Sequence, residues 1–249
     1  MKPITQNQLK LIRSLHQKKF RDLHRKYILE GSRLIAEAVN AGAVLQGVFI
    51  RQGDVPTHAT LLDEISLSGT PLYEASEKQI GDISDTTTPP GIMAVCSIEN
   101  GQVSCDGNWL YFDGLRDPGN AGTLMRTAAW FGCKNVCFSA NSVDPYNPKT
   151  VRSGMGAHFY LNIVIDANIT SLSKDATLLG AGLNGLPVNE TKINDPWVVA
   201  IGSEAHGLSD KILQSVHQIV TISGKGQGES LNAAIAGSII LYTLQKNDL

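Results

Sequence analysis

Asp117-Pro-Gly-Asn-Ala-Gly-Thr-Leu-Met-Arg126-Thr-Ala-Ala-Trp-Phe-Gly132 follows directly on the apolar run Trp109-Leu-Tyr-Phe-Asp113. The order reads as a buried strand, a tight Pro-Gly turn, and a helix over about 121–131 that opens near Asn120. Asn suits the N-cap, because its side-chain oxygen can take an orphan backbone N–H of the first helical turn. Leu124, Ala128 and Phe131 recur on one side of that helix, and Thr123, Thr127 and Trp130 on another. Arg126 leans back toward the turn, as helical side chains do. An amide and a guanidinium at a helix N-terminus beside a strand end suit an anion. Taken alone, the stretch is equally satisfied by a βα turn carrying a solvated Arg.

Two later stretches repeat the pattern. Trp197-Val-Val-Ala-Ile-Gly202-Ser-Glu204-Ala-His-Gly207-Leu-Ser is again strand, glycine-punctuated turn and helix start. Gln218-Ile-Val-Thr-Ile222 leads through Ser-Gly-Lys-Gly-Gln-Gly-Glu into Ser230-Leu-Asn232-Ala-Ala-Ile-Ala-Gly-Ser-Ile-Ile-Leu-Tyr242, a third strand, loop and apolar helix. An open α/β sheet gathers its functional site from such strand-end turns. N-x-G-x-x-x-R, G-x-E-x-x-G and S-L-N-x-x-x-A, in this order and at these intervals, resemble the three motifs of the SpoU (TrmH-type) RNA 2′-O-ribose methyltransferases. The resemblance runs from about residue 8 to 246 and is strongest from Trp109 onward.

Composition sets the bounds. The 249 residues suit one large or two modest domains with a real core. No run of eighteen apolar residues suggests a membrane span, and the N-terminus lacks a signal peptide's apolar segment, so a cytoplasmic protein is expected. Cys96, Cys105, Cys133 and Cys137 lack paired spacing and read as buried free thiols. The six His are scattered without partners, so no metal site is expected. The net charge of −2 argues against a nucleic-acid partner, but its distribution argues for one. Residues 1–33 carry nine Lys/Arg against Asp22 and Glu30, a balance of +7 that leaves −9 for the rest. Lys18, Lys19, Arg21, Arg25, Lys26 and Arg33 form the candidate phosphate-binding set. A solvated basic helix face is the plainer alternative.

Along the chain, residues 5–27 read as one amphipathic helix with Leu9, Ile12, Leu23 and Tyr27 turned inward. A second helix runs from Glu30 to Asn40 on Leu34, Ile35 and Ala38, with Gly42 as its stop. Strands follow at Val44–Arg51, Thr70–Glu74 and Ile92–Ile98, with helices near 58–67 and 76–83. Thr86-Thr-Thr-Pro-Pro-Gly91 is a loop, and the polar stretch Glu99–Asn108 is the linker. Beyond it, strands at 108–113, 134–139, 176–183, 196–201 and 217–222 alternate with helices near 121–131, 148–158, 169–175, 208–215 and 230–245. That alternation predicts a parallel sheet flanked by helices. The expected domains are therefore 1–99 and 106–249.

Two glycine-rich segments mislead. Gly180-Ala-Gly182-Leu-Asn-Gly185 matches a dinucleotide fingerprint, yet Leu186-Pro187 follows where a helix is required. Gly224-Lys-Gly-Gln-Gly228 lacks phosphate-loop spacing.

The resemblance implies more than the residues show. It implies S-adenosyl-L-methionine as cofactor, held after the last three strands by Gly202, Ile222 and Leu231, with Gly207, Leu183 and Gly185 nearby. It matches Asn120, Arg126, Glu204, Ser230 and Asn232 to the family's catalytic positions, and Arg152 to a phosphate-holding one. Asn120 would orient Arg126 and the ribose, and Glu204 would pair with Arg126 or accept from the ribose. Ser230 and Asn232 also suit N-capping of the last helix. The family's C-terminal domain is threaded as a trefoil knot, its N-terminal unit is a ribosomal-protein-like α/β grip on structured RNA, and its members dimerise. Ribosomal RNA is the expected substrate ahead of transfer RNA. Ser203, where Asn is frequent, and Ser223-Gly-Lys-Gly, in place of Pro-Met, depart from the pattern and leave the cofactor lid's shape open. A catalytically silent RNA-binding factor and a base methyltransferase are the competing readings.

Overall fold

The computed structural model describes residues 1–103, 107–172, 175–224, 226–227 and 230–246; Cys105 falls outside them. In chain order the elements begin β1 (Lys2–Pro3), α1 (Gln6–Ser14), α2 (Lys18–His24), β2 (Lys26–Glu30), α3 (Ser32–Asn40), β3 (Leu45–Arg51), α4 (Ala59–Leu67), β4 (Leu72–Ala75), α5 (Glu77–Ile83) and β5 (Ile92–Ser97). There follow β6 (Trp109–Asp113), α6 (Pro118–Trp130), β7 (Asn135–Phe138), α7 (Pro148–Gly154), β8 (Asn162–Ile165), α8 (Ile169–Leu172), β9 (Thr177–Pro187), β10 (Trp197–Gly202), α9 (Asp210–Leu213), β11 (Gln218–Thr221) and α10 (Ala233–Lys246). Contacts divide the chain into two compact units: Met1–Glu99 with Tyr146–Phe159, and Asn100–Pro145 with Tyr160–Leu249. The segment 146–159, expected with the second unit, groups with the first.

In the first unit a mixed sheet has the order β1-β4-β3-β5-β2. The single helix expected over 5–27 is instead α1, a break, α2 and β2. Thr5 and Gln8 form a capping box that starts α1, which buries Leu9 and Ile12. Leu15 is fully buried in the break, and its freed carbonyl accepts from Arg21 Nη1 at 2.7 Å. Arg25 then ends α2 in the left-handed conformation, at φ 52°. Tyr27 enters β2 opposite Cys96, while Leu23 stays exposed. Burying Leu15 and pairing Tyr27–Leu29 with β5 outweighs the continuous helical pattern, as tertiary packing often overrides local propensity. Tyr146 and His158 of the 146–159 segment pack their rings at a tilt against Tyr27, at separations of 5.0 and 6.1 Å.

The second unit is a wholly parallel six-stranded sheet, β11-β9-β10-β6-β7-β8. Its central strands are apolar on both faces: every residue of β6 and β10 is buried, as strands covered by helices on both sides require. β8 is a strand that the periodicity did not pick out; its Asn-Ile-Val-Ile is too short to show one. α10 packs on α6, where Thr127 and Ser238 hydroxyls pair at 3.0 Å. The dinucleotide look-alike lies inside β9, which runs on to Pro187 and is followed by a short 3-10 turn, not a helix. Its glycines admit neighbouring elements. A Cβ on Gly180 would lie 2.6 Å from Leu208 and 2.8 Å from Ile219, and one on Gly185 would strike the Ile219 backbone. Ile219 of β11 makes the close approach at both.

Candidate active site

Every strand of the parallel sheet ends on the same side, so the turns after β6 and β10 meet. β6 and β10 are neighbours in register, with Gly202 opposite Asp113. After Gly202 the chain folds back on itself: Ser203 and Gly207 exchange backbone hydrogen bonds at 2.9 Å each, and Gly207 takes φ 66°. The tight loop presents Glu204. Asp113, nearly buried, holds that loop against β6 by accepting from Ser209 N at 2.6 Å.

On the other side α6 begins one turn earlier than expected. Asp117, not Asn120, is its N-cap, accepting from Asn120 N at 2.7 Å, and Pro118 occupies the first helical position. Pro there is a start signal, because its missing N–H is not needed. Asn120, freed from capping, points its amide at the other two motifs. Asn120 Nδ2 donates to Glu204 Oε1 at 2.7 Å, and Asn232 Nδ2 donates to Asn120 Oδ1 at 3.1 Å. Asn232 Oδ1 also accepts from the backbone of Ala234 at 2.9 Å and of Ile235 at 3.2 Å, so the capping role foreseen for it is real. One asparagine therefore joins residues 84 and 112 positions away.

Arg126 is not part of this chain of amides. It is exposed, and no ion pair with Glu204 forms; Glu204 pairs with Asn120 instead. Six residues past Asn120, Arg126 is turned roughly 120° away around the helix and displaced about 9 Å along it. Ser230 is exposed beside Asn232.

The residues matched to cofactor contacts fall into two groups. Gly202 is buried, and a Cβ there would strike the backbone of Gly207 and Leu208. Leu183 and Leu231 leave apolar side chains in solvent at 69% and 49% exposure, with Ile222 half-buried after β11. Thr221 Oγ1 donates to Leu183 O at 3.1 Å and ties β11 to this part of β9. Exposed leucines within β9 and just before α10 fit an adenosine, whose base needs apolar walls.

The basic set divides too. Lys18, Lys19, Arg25 and Arg33 are exposed and Lys26 is half-buried; Lys18 pairs with Asp22 at 2.8 Å. Arg21 is only 2% exposed and serves the Leu15 carbonyl, so it does not face RNA. Arg152, matched to a phosphate, faces protein carboxylates: Glu30 at 3.7 Å and Asp85 at 3.4 Å. Buried Glu30 accepts further hydrogen bonds from Ser84 Oγ and Asp85 N. Such a carboxylate requires a cation partner in low dielectric, and Arg152 supplies one.

Burial pushes the Cys133 thiol up to about 12 and Cys137 up to about 11, so both remain neutral. Among the described residues no three His, Cys, Asp or Glu side chains group as a metal site, and no helix is long and apolar enough to cross a membrane.

The model of the SpoU rRNA Methylase family matches residues 108–242, just over half the chain and all three motifs. The chain belongs to that family. Residues 6–94 of this SpoU protein match the MRM3-like substrate binding domain. It is 28% identical over 238 residues to the Bacillus subtilis 23S rRNA (guanosine(2553)-2′-O)-methyltransferase RlmP, covering 94% of each chain. It is 36% identical to the human mitochondrial rRNA methyltransferase 3, covering 90% of this chain and 68% of that one. The AdoMet-bound rRNA methyltransferase from Sinorhizobium meliloti superposes with a TM-score of 0.85 at 25% identity, over 100% of this chain and 98% of that one.

Proposed function

We propose that this SpoU protein is an S-adenosylmethionine-dependent methyltransferase that modifies a ribose 2′-hydroxyl of ribosomal RNA, as a cytoplasmic homodimer. The observation that carries the reading is the Glu204–Asn120–Asn232 chain of hydrogen bonds, which brings three distant motifs to one point. A silent binding factor has no need of it. When bound, S-adenosylmethionine supplies an electrophilic methyl group. Leu183, Ile222 and Leu231 would wall its adenosine, beside the backbone of Gly202 and Gly207. Asn120 and Glu204 hold the acceptor ribose: the amide is fixed by its two partners, and the second carboxylate oxygen of Glu204 is placed to accept from a hydroxyl. Arg126 serves as a positive charge and not as a base: its planar guanidinium fork is shaped to bind anionic oxygens. It stabilises charge developing on the 2′-oxygen or holds the adjoining phosphate.

The dimer reading explains where Arg126 points. Trp130 is 84% exposed on α6, and Ile235, Ile239 and Tyr242 are exposed on α10, the helix packed against it. Exposed apolar side chains on two packed helices suit an interface, and Arg126 is exposed on the same helix as Trp130. Arg126 then completes the partner's site. The knot is carried over on family membership.

Two experiments test the reading. Calorimetry with S-adenosylmethionine should give saturable binding that survives a chelator, and ribosomal RNA from a strain lacking the gene should gain one ribose methyl group. A flat titration, or RNA that takes up no label, sinks it. The first unit is proposed to grip the RNA through its exposed cations. The double charge reversal Lys19→Glu/Arg33→Glu should weaken RNA binding at least about tenfold and flatten its salt dependence, since each lost phosphate contact lowers the slope by nearly one. Unchanged affinity in 50 mM salt (roughly the regime where such contacts dominate) removes this face from the interface.

A further inference from the structure

The cleft beside the Asn120–Glu204 pair is larger than a ribose requires. Its volume is about 1060 Å³, at the top of the range of about 300–1,000 Å³ that accommodates whole small molecules. It extends from the loop after β10 across the ends of β6, β7 and β8, as far as Asp166 and Asn168. From β6 the chain steps to β7 and β8 on one side, then crosses to β9 and β10 on the other. The β6/β10 boundary is thus where strand order reverses, and open sheets bind ligands in the crevice there.

Charge decides which part of a nucleotide enters. Four carboxylates line the cleft, Asp113, Asp117, Asp166 and Glu204, against Arg116 and Lys211. Such a lining repels phosphate and accepts from N–H donors. Three of the four are already committed: Asp113 to Ser209 N, Asp117 to Asn120 N, and Glu204 to Asn120 Nδ2. Asp166 differs. Its carboxylate is exposed and makes no hydrogen bond or ion pair among the described residues. Its backbone is nevertheless fixed, at φ 60° with its N–H donating to Phe138 O at 2.7 Å. That left-handed backbone, which Asp tolerates better than most residues, fixes the direction in which its side chain leaves the end of β8. Leu208 and Ile212 supply an apolar wall in the same cleft.

Resting on the methyltransferase reading above, we infer that this cleft receives the base of the acceptor nucleotide, turned out of its stack, and that Asp166 selects guanine. RNA is read in this way where unstacked bases expose their edges. A carboxylate only accepts, and two parallel N–H donors satisfy it best. Guanine offers N1–H and the 2-amino group side by side. Adenine places an acceptor next to its amino group, and uracil sets its N–H between two carbonyls. Arg116 and Lys211 meet the phosphates at the cleft's mouth.

The test uses the full chain and free nucleotides, so that it does not depend on turnover. Guanosine 5′-monophosphate should bind saturably and shift the backbone NMR signals of residues 139–141 and 166–168. Inosine 5′-monophosphate, lacking only the 2-amino group, should bind about tenfold more weakly, the size of one lost bidentate contact. Asp166→Asn should abolish that preference while leaving the S-adenosylmethionine Kd unchanged; Asn tolerates the same left-handed backbone. With ribosomal RNA from the deletion strain, the same variant should raise KM and let neighbouring nucleotides be methylated. Unmoved signals, or a guanosine-to-inosine ratio that survives Asp166→Asn, overturns the inference. A wild-type protein that methylates no RNA but binds guanosine 5′-monophosphate as stated overturns the methyltransferase reading and leaves the base pocket standing.

Discussion

Arg126→Ala lowers turnover by about 10²–10³-fold, the usual loss when one preorganised charge-stabilising group is removed, and leaves the S-adenosylmethionine Kd within a few-fold. The split follows from geometry. Arg126 is exposed on α6, on a different face of the helix from Asn120, and it is not among the residues matched to cofactor contacts. A rate that falls far more than binding marks an interaction made mainly in the transition state. Arg126→Lys should recover little, because Lys keeps the charge but loses the planar fork. Mixing the Arg126→Ala and Asn232→Ala proteins tests whether the guanidinium serves the partner's site. Random pairing would restore about a quarter of wild-type activity if it acts across the interface, and none if it acts within its own chain. An Arg126→Ala protein that methylates normally would falsify the catalytic assignment and leave a solvated helix residue.

Why three motifs could be read from one sequence, and their contacts could not, has a physical reason. Buried parallel strands announce themselves as short apolar runs: Trp109–Asp113 and Trp197–Gly202 fall within a residue or so of the expected limits. Turn chemistry marks their ends. Which donor meets which acceptor depends on tertiary placement, and there one residue misled. Asn120 reads as a cap, yet Pro118 moves the helix start back to Asp117 and releases the Asn120 amide to Glu204 and Asn232. Asp113 carries no motif, and only its position opposite Gly202 explains why it holds the Glu204 loop.

The charged N-terminus shows the opposite limit. Nine cations in 33 residues fix the segment's net charge but not the role of each side chain. Arg21 lies in the same helical pattern as Lys18 and Lys19, and its burial follows from Leu15 interrupting the helix. Arg152 reads as one more phosphate ligand until Glu30 is found buried beside it. Charge counts report the field around a segment; ion pairs across 122 or so residues of sequence are set by packing, which spacing does not encode.

Gly202→Val is expected to cost the second unit about 3 kcal/mol or more, because a side chain forced against backbone has nowhere to relax. On family grounds alone the same change would crowd the cofactor and merely raise its Kd. The structure places a nearer obstacle: a Cβ at Gly202 would strike Gly207 and Leu208, whose backbone closes the loop through the paired Ser203 and Gly207. Backbone cannot swing aside as a flexible side chain does, so the loop must open. Opening it withdraws Glu204 from Asn120 and Ser209 from Asp113. The unfolding midpoint should therefore fall by several degrees, on the order of 2–4 °C per kcal/mol for a domain of this size, and activity should be lost even at saturating S-adenosylmethionine. Gly207→Ala is the informative comparison. Nothing lies within 4 Å of its Cβ position, so only the left-handed φ of 66° opposes it, and the penalty should be about 1 kcal/mol. A Gly202→Val protein as stable as the parent, and rescued by excess cofactor, would return Gly202 to the cofactor site and take it out of the loop's own packing.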